Sequence, residues 1–318
     1  MHALRSIAIA VAAILTATAA SAQDAAKYPD KMVRLVVPFS AGSMTDLLAR
    51  VVAERLQARW GKEVVVENRP GLAGTSSVAK GVAADGYTLM LTSNGHTVIG
   101  HLNKNLAFDP VRDFVGIAQV ATTPLILVVP PDSPVKSVKE LIELARAKPG
   151  DLNYSSAGLG STTGIAGALF KQVAKVDIVH VPFKGLPETH TAIIRGDVAM
   201  GFSFFSAAGD LILSGKVKPL AVTGPARLKV LPDVPTFAEA GLPEFQYDSW
   251  FGILAPAGVP DAIVAKASSE ISAVVQLPEV KARFEPQGAV MVTTTLERFN
   301  QIIKDDTARY STLFKATN

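Results

Sequence analysis

The sequence contains no cysteine among its 318 residues. This absence excludes disulfide bonds, cysteine metal ligands, a thiol nucleophile and a lipid anchor on an N-terminal cysteine. The sequence also has no apolar run of the ~20 residues that a membrane-spanning helix needs. Stability must therefore come from a hydrophobic core, which a chain of this length can bury without covalent crosslinks.

Charge of either sign is modest. Asp, Glu, Lys and Arg make up 19% of the residues, and the formal net charge is +3. No basic cluster is interleaved with aromatic residues, so nucleic acid is not an expected partner. Hydrophobic residues make up 48% of the chain, which is typical of a folded globular protein rather than a disordered one.

The motifs of common enzyme classes are missing as well. Gly158 and Gly160 are followed by Gly164, one position too late for the dinucleotide-binding pattern, and no P-loop pattern occurs. The sequence has no G-x-S-x-G nucleophile turn, and its five histidines form no H-E-x-x-H zinc motif. These absences predict a noncatalytic binding protein that uses no cofactor and no metal.

Residues 1–22 have the layout of a cleavable secretory signal. Arg5 supplies the basic start, an apolar stretch covers about residues 7–17, and the sequence A-S-A precedes Gln23. The apolar stretch is too short to span a bilayer. We therefore expect the mature protein to begin at Gln23 and to be exported to the periplasm without a lipid anchor.

The rest of the chain alternates short apolar runs with helical periodicities, a pattern typical of β-α-β units. The predicted class is α/β, with two lobes that are each a mainly parallel sheet flanked by helices. Two long apolar runs, 116–129 and 248–256, are not closely followed by a helix and are predicted to be hinge strands. Lobe 1 then comprises residues 23–122 and 250–318, and lobe 2 comprises residues 123–249.

The first strand and helix are joined by the small residues S-A-G-S, within VVPFSAGSMTDLLARVVAERL at 36–56. Ser43 and Asp46 have the spacing of a helix capping box. Gly42 would let a ligand approach the main chain, where a helix N-terminus presents unpaired N–H groups and partial positive charge. The same pattern also fits a capped helix after a tight turn, with no ligand.

A second stretch repeats this pattern. NYSSAGLGSTTGIAGALF at 153–170 passes from a short strand through small residues into a helix that opens near Ser161. Two such helix N-termini, one in each lobe, can bind one anion between them. LTSNGHT at 91–97 and VPFKGLPE at 181–188 add two further loops. Because the donors are mostly neutral and Asp46 would repel a phosphate, a carboxylate is the expected anion.

Six segments of the mature sequence are long enough to be specific. They are RLVVPFSAGSMTDLLAR, VVVENRPGLAGTSSVAKGVAADGYTLML, YSSAGLGSTTG, HVPFKG, LAVTGPARLKVLPDVPTFAEAGLPEF and WFGILAPAGVP. In this order they resemble the extracytoplasmic receptors of tripartite tricarboxylate transporters, the Bug-type family. The resemblance implies a two-lobed periplasmic binding protein of type II, which delivers a carboxylate-bearing solute to a membrane permease.

Two family motifs are placed residue by residue. P-F-x-A-G-G-x-x-D matches residues 38–46, and S-x-G-x-G-S-x-x-H matches residues 156–164. Ser43 stands at the second glycine of the first motif, and Gly164 stands at the histidine of the second, so the identity of the ligand stays open. The candidate ligand-binding residues are Phe39, Ala41, Gly42, Ser43, Thr45, Asp46, Ser93, Asn94, Ser156, Ala157, Gly158, Gly160, Ser161, Thr162, Phe183, Lys184, Gly185 and Phe204.

The expected mechanism is capture by closure of the two lobes. A carboxylate binds the backbone at 42–45, and lobe 2 closes over it with Ser161 and Thr162. Asp46 is expected to cap its helix, to orient a water or to accept from a ligand amine. Phe204 and Phe205 favour an aromatic or otherwise apolar carboxylate, with core packing as the alternative for both.

Several ligand classes and two other functions stay open. Dicarboxylates, tricarboxylates, aromatic acids and acidic amino acids all fit the predicted loops. An exported sensory receptor or an exported enzyme on the same fold is the alternative to transport. The receptor is expected to be a monomer.

Overall fold

The computed structural model describes residues 27–103, 105–158 and 160–315, with side chains described to residue 312. The predicted signal peptide at 1–22 lies outside these ranges. The strands are β1 (Val33–Val37), β2 (Val64–Asn68), β3 (Thr88–Ser93), β4 (Phe114–Val129), β5 (Asn153–Ser156), β6 (Val179–Pro182), β7 (Met200–Phe204), β8 (Lys218–Val222), β9 (Asp248–Pro256) and β10 (Val290–Met291). The α-helices are α1 (Met44–Trp60), α2 (Leu72–Lys80), α3 (Ile99–Leu102), α4 (Val138–Ala147), α5 (Thr162–Ala174), α6 (Leu186–Arg195), α7 (Phe205–Leu213), α8 (Asp261–Val275), α9 (Pro278–Phe284) and α10 (Leu296–Lys315).

The strands form one mixed sheet in the order β2-β1-β3-β9-β4-β7-β5-β6, with β8 and β10 also paired to β4. The pairs β1–β2, β1–β3, β5–β6 and β5–β7 are parallel. In the described part of the chain, every antiparallel pair involves β4 or β9. The predicted α/β class is confirmed. Among the described strands, the parallel pairs form two outer units of three strands each, and one isolated parallel bridge joins Val222 to Thr236.

Strand β4 connects the two parallel units. Its first part, up to Pro124, pairs with β9, and its last part, from Leu125, pairs with β7 and β8. The apolar run at 116–129 forms one continuous strand, although it contains a proline. Pro124 has no N–H to donate, and it lies where the strand changes partners, so the ladder accommodates it.

The C-terminal helix α10 packs against β4 and β9, the two strands by which the chain crosses between the parallel units. The fully buried Phe299 ring lies over Gly116 and Gly252, where an added Cβ atom would come within 2.8 Å and 2.2 Å of the ring. Asn300 exchanges two hydrogen bonds of 2.9 Å with the backbone of Gly116. Glycine at both strand positions therefore lets an aromatic side chain pack directly on the backbone of the crossing.

Separate hydrophobic cores lie on the two sides of this crossing. The first contains the buried side chains of β1, α1 and α8. The second is built around four phenylalanine rings, Phe170, Phe202, Phe237 and Phe245, whose centroids lie between 4.3 and 6.2 Å apart. Each parallel unit is therefore stabilised by apolar burial of its own.

Most predicted elements lie within a few residues of their observed bounds. Helix α2, which the sequence predicts around 76–83, differs, and helices α3, α7 and α9 are not predicted. Helix α2 begins at Leu72 rather than near 76, because Gly71 has φ 81° and completes the preceding turn in a conformation that glycine adopts readily. Helix α7 is not predicted from the sequence. It follows β7 directly, and its N-cap Phe204 makes no side-chain capping bond that a motif could reveal.

Asp248 is expected to make stability rise as the pH falls through the raised pKa of its carboxyl toward the ordinary value of an aspartate. It is the first residue of β9, and its Oδ1 is buried without a hydrogen-bond partner in the described part of the chain. Burial raises the pKa of the Asp248 carboxyl to about 6. Because the fold favours the protonated form, ionisation above that pH costs stability, up to about 2–3 kcal/mol for a shift of two units.

Urea denaturation at pH 7.5 and pH 5 measures this effect. We expect Asp248→Asn to raise the free energy of unfolding at pH 7.5 and to reduce its change between the two pH values. Equal pH dependence of the two proteins would show that the Asp248 carboxylate does not carry the cost.

Candidate functional site

A cavity of about 550 Å³ lies at the carboxyl ends of the parallel strands. The loops after β1 and β2, the end of β3 and the turn after it line one side, and the loop after β5, the end of β7 and the start of α7 line the other. The first residues of α1, α2, α5, α6 and α7 also lie in its wall. Ligands of open α/β sheets bind at this edge of the strands, so the cavity is the candidate site.

The loop before α1 has the hydrogen bonds of a helix cap. The Oγ of Ser43 accepts from the N–H of Asp46 at 3.2 Å, and the Asp46 carboxylate accepts from the N–H of Gly42 at 2.8 Å. Gly42 has φ 82°, which favours glycine. The N–H groups of Met44 and Thr45 have no partner within the helix. The predicted cap therefore forms and leaves donors at the cavity wall.

The Asp46 side chain is 2% exposed and does not line the cavity. It also accepts from Nε of Arg50 and Nδ2 of Asn68, both at 3.0 Å. Burial alone would raise the pKa of Asp46, but the hydrogen bonds from Arg50, Gly42 and Asn68 outweigh it and lower the pKa. Helix capping is therefore the role that Asp46 has among the three expected of it. The positive charge of Arg50 offsets the negative charge of Asp46.

At α5 the polar groups of the loop satisfy one another. The Oγ of Ser161 donates to the carbonyl of Gly158 at 2.6 Å and accepts from the N–H of Gly164 at 3.0 Å. The Oγ1 of Thr163 accepts from the N–H of Ala157 at 3.0 Å. The Ser161 hydroxyl is therefore committed within the loop, and the first-turn N–H groups of α5 are the donors left for a ligand.

The opposite wall of the cavity carries hydroxyls without such partners. Thr45, Thr75, Thr92 and Ser93 line the cavity and are between 2% and 5% exposed. Within the described ranges, no protein atom forms a hydrogen bond with any of these four hydroxyls. Because buried polar groups are normally hydrogen-bonded, this wall has donors and acceptors available for a ligand or for water.

Asn94 is a predicted ligand residue that the structure places in a buried polar network instead. It is fully buried and does not line the cavity. Its Nδ2 donates to Tyr247 at 2.8 Å, and its Oδ1 accepts from Ser249 at 3.1 Å and from Thr162 at 3.3 Å. The network joins the end of β3 to the start of β9 and to the N-terminus of α5.

His96 lines the cavity, although the sequence does not single it out as a ligand residue. Its Nε2 lies 2.6 Å from the carbonyl oxygen of Pro110, an acceptor, so Nε2 carries the proton. Burial lowers the pKa of the imidazole to about 4, which keeps His96 neutral at neutral pH. In the described chain no Lys, Arg, Asp or Glu lines the cavity, so its wall has no full charge.

The structure separates the predicted ligand residues into two groups. Those that line the cavity are Phe39, Gly42, Ser43, Thr45, Ser93, Ala157, Gly160, Ser161, Thr162 and Phe204. Those outside its lining are Ala41, Asp46, Asn94, Ser156, Gly158, Phe183, Lys184 and Gly185. In the second group, the Ser156 hydroxyl bonds the His180 ring at 2.7 Å. Phe183 packs into the apolar cluster of α6 and α7, as does Phe205.

Sequence reasoning missed several residues of the wall. They are Gly71, Leu72, Thr75, Thr92, His96, Ile99, Leu186, Phe251 and Gln287. The signal for Gly71 and Leu72 was present, because the segment NRPGLAG also passes through small residues into a helix. Phe251 and Gln287 reach the cavity from distant parts of the chain, and no local pattern marks them.

Residues 48–318 match the family model described as the tripartite tricarboxylate transporter family receptor. The chain belongs to this family. Protein BugT of Bordetella pertussis is 33% identical over 322 residues, a match that covers 100% of this chain and 98% of BugT. The resemblance read from the six sequence segments is thus confirmed.

Two solved structures of similar proteins carry a small acid. R. palustris Rpa4515 with adipate has a TM-score of 0.78 at 34% identity, covering 91% of this chain and 97% of that one. MatC from Rhodopseudomonas palustris with bound malate has a TM-score of 0.76 at 30% identity, covering 90% and 100%. The predicted two-lobed fold is confirmed by these similarities.

Members of this receptor family bind solutes and are not enzymes, as the sequence predicts for this chain. In residues 27–103, 105–158 and 160–315 no three His, Asp or Glu side chains are grouped to hold a metal ion. Over the same ranges, no helix has both the length and the apolar character needed to cross a membrane.

Proposed function

We propose that this receptor binds a small carboxylate-bearing solute in the cavity and delivers it to the membrane permease of a tripartite tricarboxylate transporter. One observation carries the proposal. The N-termini of α1 and α5, from opposite parallel units, line the same uncharged cavity. Their first-turn N–H groups and dipoles favour an anion, and neutral hydroxyls suit a carboxylate. The adipate and malate of the two similar structures agree with this choice of anion.

Capture is proposed to proceed by closure of the lobes predicted from the sequence, 23–122 with 250–318 and 123–249. Strand β4 changes partners at Pro124, and β9 begins at Asp248, directly opposite. Both crossings therefore lie side by side, which allows one unit to rotate against the other. A ligand that contacts the N-termini of both α1 and α5 stabilises the closed state more than the open one.

The location and the partner follow from the family and are part of the proposal. Removal of residues 1–22 on export would place the receptor in the periplasm, where it can reach the periplasmic face of its permease partner. Adding the purified receptor to vesicles that contain the permease is expected to restore uptake of the bound carboxylate. Uptake that is unaffected by the receptor would point to a sensory role.

Ligand binding is expected to raise the unfolding temperature of the exported chain, residues 23–318. A carboxylate at ~100 times its Kd adds ~2.7 kcal/mol of stability. For a chain of this size the midpoint then shifts by roughly 4–5 °C. The assay compares monocarboxylates, dicarboxylates, tricarboxylates, aromatic acids and acidic amino acids with their uncharged amides. A shift with amides and none with any carboxylate would overturn the proposal.

A further inference from the structure

Tyr247 contacts the N-terminus of α5 without lining the cavity. It is 2% exposed and directly precedes β9 in the chain. Its hydroxyl donates to the main-chain carbonyl of Thr162 at 3.1 Å and accepts from Nδ2 of Asn94 at 2.8 Å. Thr162 is the first residue of α5 and lines the cavity. A side chain 85 positions away in the sequence therefore holds the first turn of this helix.

The carbonyl that Tyr247 holds belongs to a peptide group whose N–H is a donor at the helix N-terminus. The C=O of Thr162 and the N–H of Thr163 are parts of one planar peptide unit. Thr163 is the second residue of α5 and lines the cavity, and its N–H has no partner within the helix. The Oγ of Ser161 already accepts from the next N–H, that of Gly164. The Thr163 N–H is thus one of the few donors that α5 offers to an anion.

Asn94 decides the direction in which the Tyr247 hydroxyl donates. The Oδ1 of Asn94 accepts from Ser249 at 3.1 Å and from Oγ1 of Thr162 at 3.3 Å, so its Nδ2, a donor only, faces the tyrosine. The single proton of the hydroxyl is then left for the Thr162 carbonyl. A reversed amide would take that proton and leave the two oxygens of Tyr247 and Thr162 facing each other at 3.1 Å without a hydrogen between them.

A hydrogen bond to a peptide carbonyl affects the N–H of the same peptide in two ways. It fixes the plane of the peptide, so the N–H is oriented before the ligand arrives and less freedom is lost on binding. In a buried series of hydrogen bonds each bond also polarises the next, so the N–H becomes a stronger donor. An ionised acceptor such as a carboxylate gains most from a stronger donor.

We infer that Tyr247 is a positioning residue for anion binding: its hydroxyl, oriented by Asn94, aligns and polarises the peptide group whose Thr163 N–H donates to the carboxylate of the solute. This inference rests on the proposed function and assigns part of the affinity to a side chain outside the cavity wall.

Calorimetry on the exported chain, residues 23–318, with adipate and with malate tests the inference. Tyr247→Phe removes only the hydroxyl and is expected to bind both acids about tenfold more weakly, the effect of one hydrogen bond on an equilibrium. Tyr28→Phe is the matched control. Tyr28 is also 2% exposed, its hydroxyl donates to the main-chain carbonyl of Gly86 at 2.8 Å, and it lies outside the cavity lining. This control should bind within about twofold of the wild type.

A nitrogen-15 NMR titration with acetate separates positioning from a general loss of structure. Thr163 and Thr45 are the second residues of α5 and α1, and both line the cavity. In the wild type we expect acetate to shift both amide signals. In Tyr247→Phe the acetate-induced shift of Thr163 should fall about twofold or more, and that of Thr45 should stay unchanged.

Each outcome bears on a different claim. Full affinity in folded Tyr247→Phe, equal losses in both tyrosine variants, or equal changes at Thr163 and Thr45 would overturn the inference and leave the proposed function intact. A wild type in which acetate shifts Thr45 alone would also overturn only the inference. A wild type in which acetate shifts neither amide and neither acid binds would overturn the proposed function and the inference together.

Discussion

Ser43→Asp is expected to weaken carboxylate binding by on the order of 100-fold while leaving α1 folded. Ser43 is the N-cap of α1 and lines the cavity. Aspartate caps a helix as well as serine does, so the helix keeps its first hydrogen bond. The new carboxylate would lie about 5 Å from the bound one, where repulsion costs about 3 kcal/mol at an effective dielectric constant of ~20. Each 1.4 kcal/mol is a tenfold loss of affinity.

Two controls separate charge from fold. Ser43→Asn provides an equally good cap without the charge and should bind within a few-fold of the wild type. Ser137 caps α4 with the same kind of hydrogen bond, its Oγ accepting from the N–H of Glu140 at 3.2 Å, and it does not line the cavity. Ser137→Asp should therefore bind as the wild type does. Calorimetry on the most stabilising carboxylate measures all three; full affinity in Ser43→Asp would place the anion elsewhere.

The features predicted correctly from the sequence depend on near neighbours in the chain. The cap of α1 needs only Ser43 and Asp46, and that of α5 needs only Ser161 and the residues beside it. The periodicity of α8 predicts its observed bounds, because one face of that helix is buried along its whole length. The two loops with small residues lie at one cavity because each of them follows a strand of a parallel unit, and ligands of open α/β sheets bind at the carboxyl ends of such strands.

The features that were missed depend on partners far away in the sequence. The Nδ2 of Asn94 donates to a residue 153 positions later, so its loop alone suggests a free donor where there is none. His96 is neutral because burial, with the Phe114 ring against it, lowers its pKa and outweighs the hydrogen bond to the Pro110 carbonyl, which favours the charged form. Phe251 belongs to a strand that pairs with both β3 and β4. Long-range packing therefore decides which polar loop residues remain available to a ligand.

Phe299→Ala is expected to lower the free energy of unfolding by about 3–5 kcal/mol, the range for a buried aromatic residue. The Phe299 ring is fully buried and packs edge-on against Trp250, with centroids 5.3 Å apart. It also lies directly on the backbone of Gly116 and Gly252. Its loss leaves a cavity under α10 at the crossing of β4 and β9. Urea denaturation measures the change, with Leu213→Ala as an exposed control that should stay within about 0.5 kcal/mol.

The two glycines make this prediction sharper. Gly252→Ala alone is expected to destabilise the protein by about 1–3 kcal/mol, because the new Cβ would lie 2.2 Å from Cζ of Phe299 and β9 cannot move away within the sheet. In the Phe299→Ala background the ring is absent, so Gly252→Ala should lower the free energy of unfolding little. The new methyl group could then occupy part of the void that the ring leaves. The double-mutant cycle should then give a coupling energy of about 1–3 kcal/mol. Additive costs would mean that Gly252 is required by the strand itself rather than by the helix that packs on it.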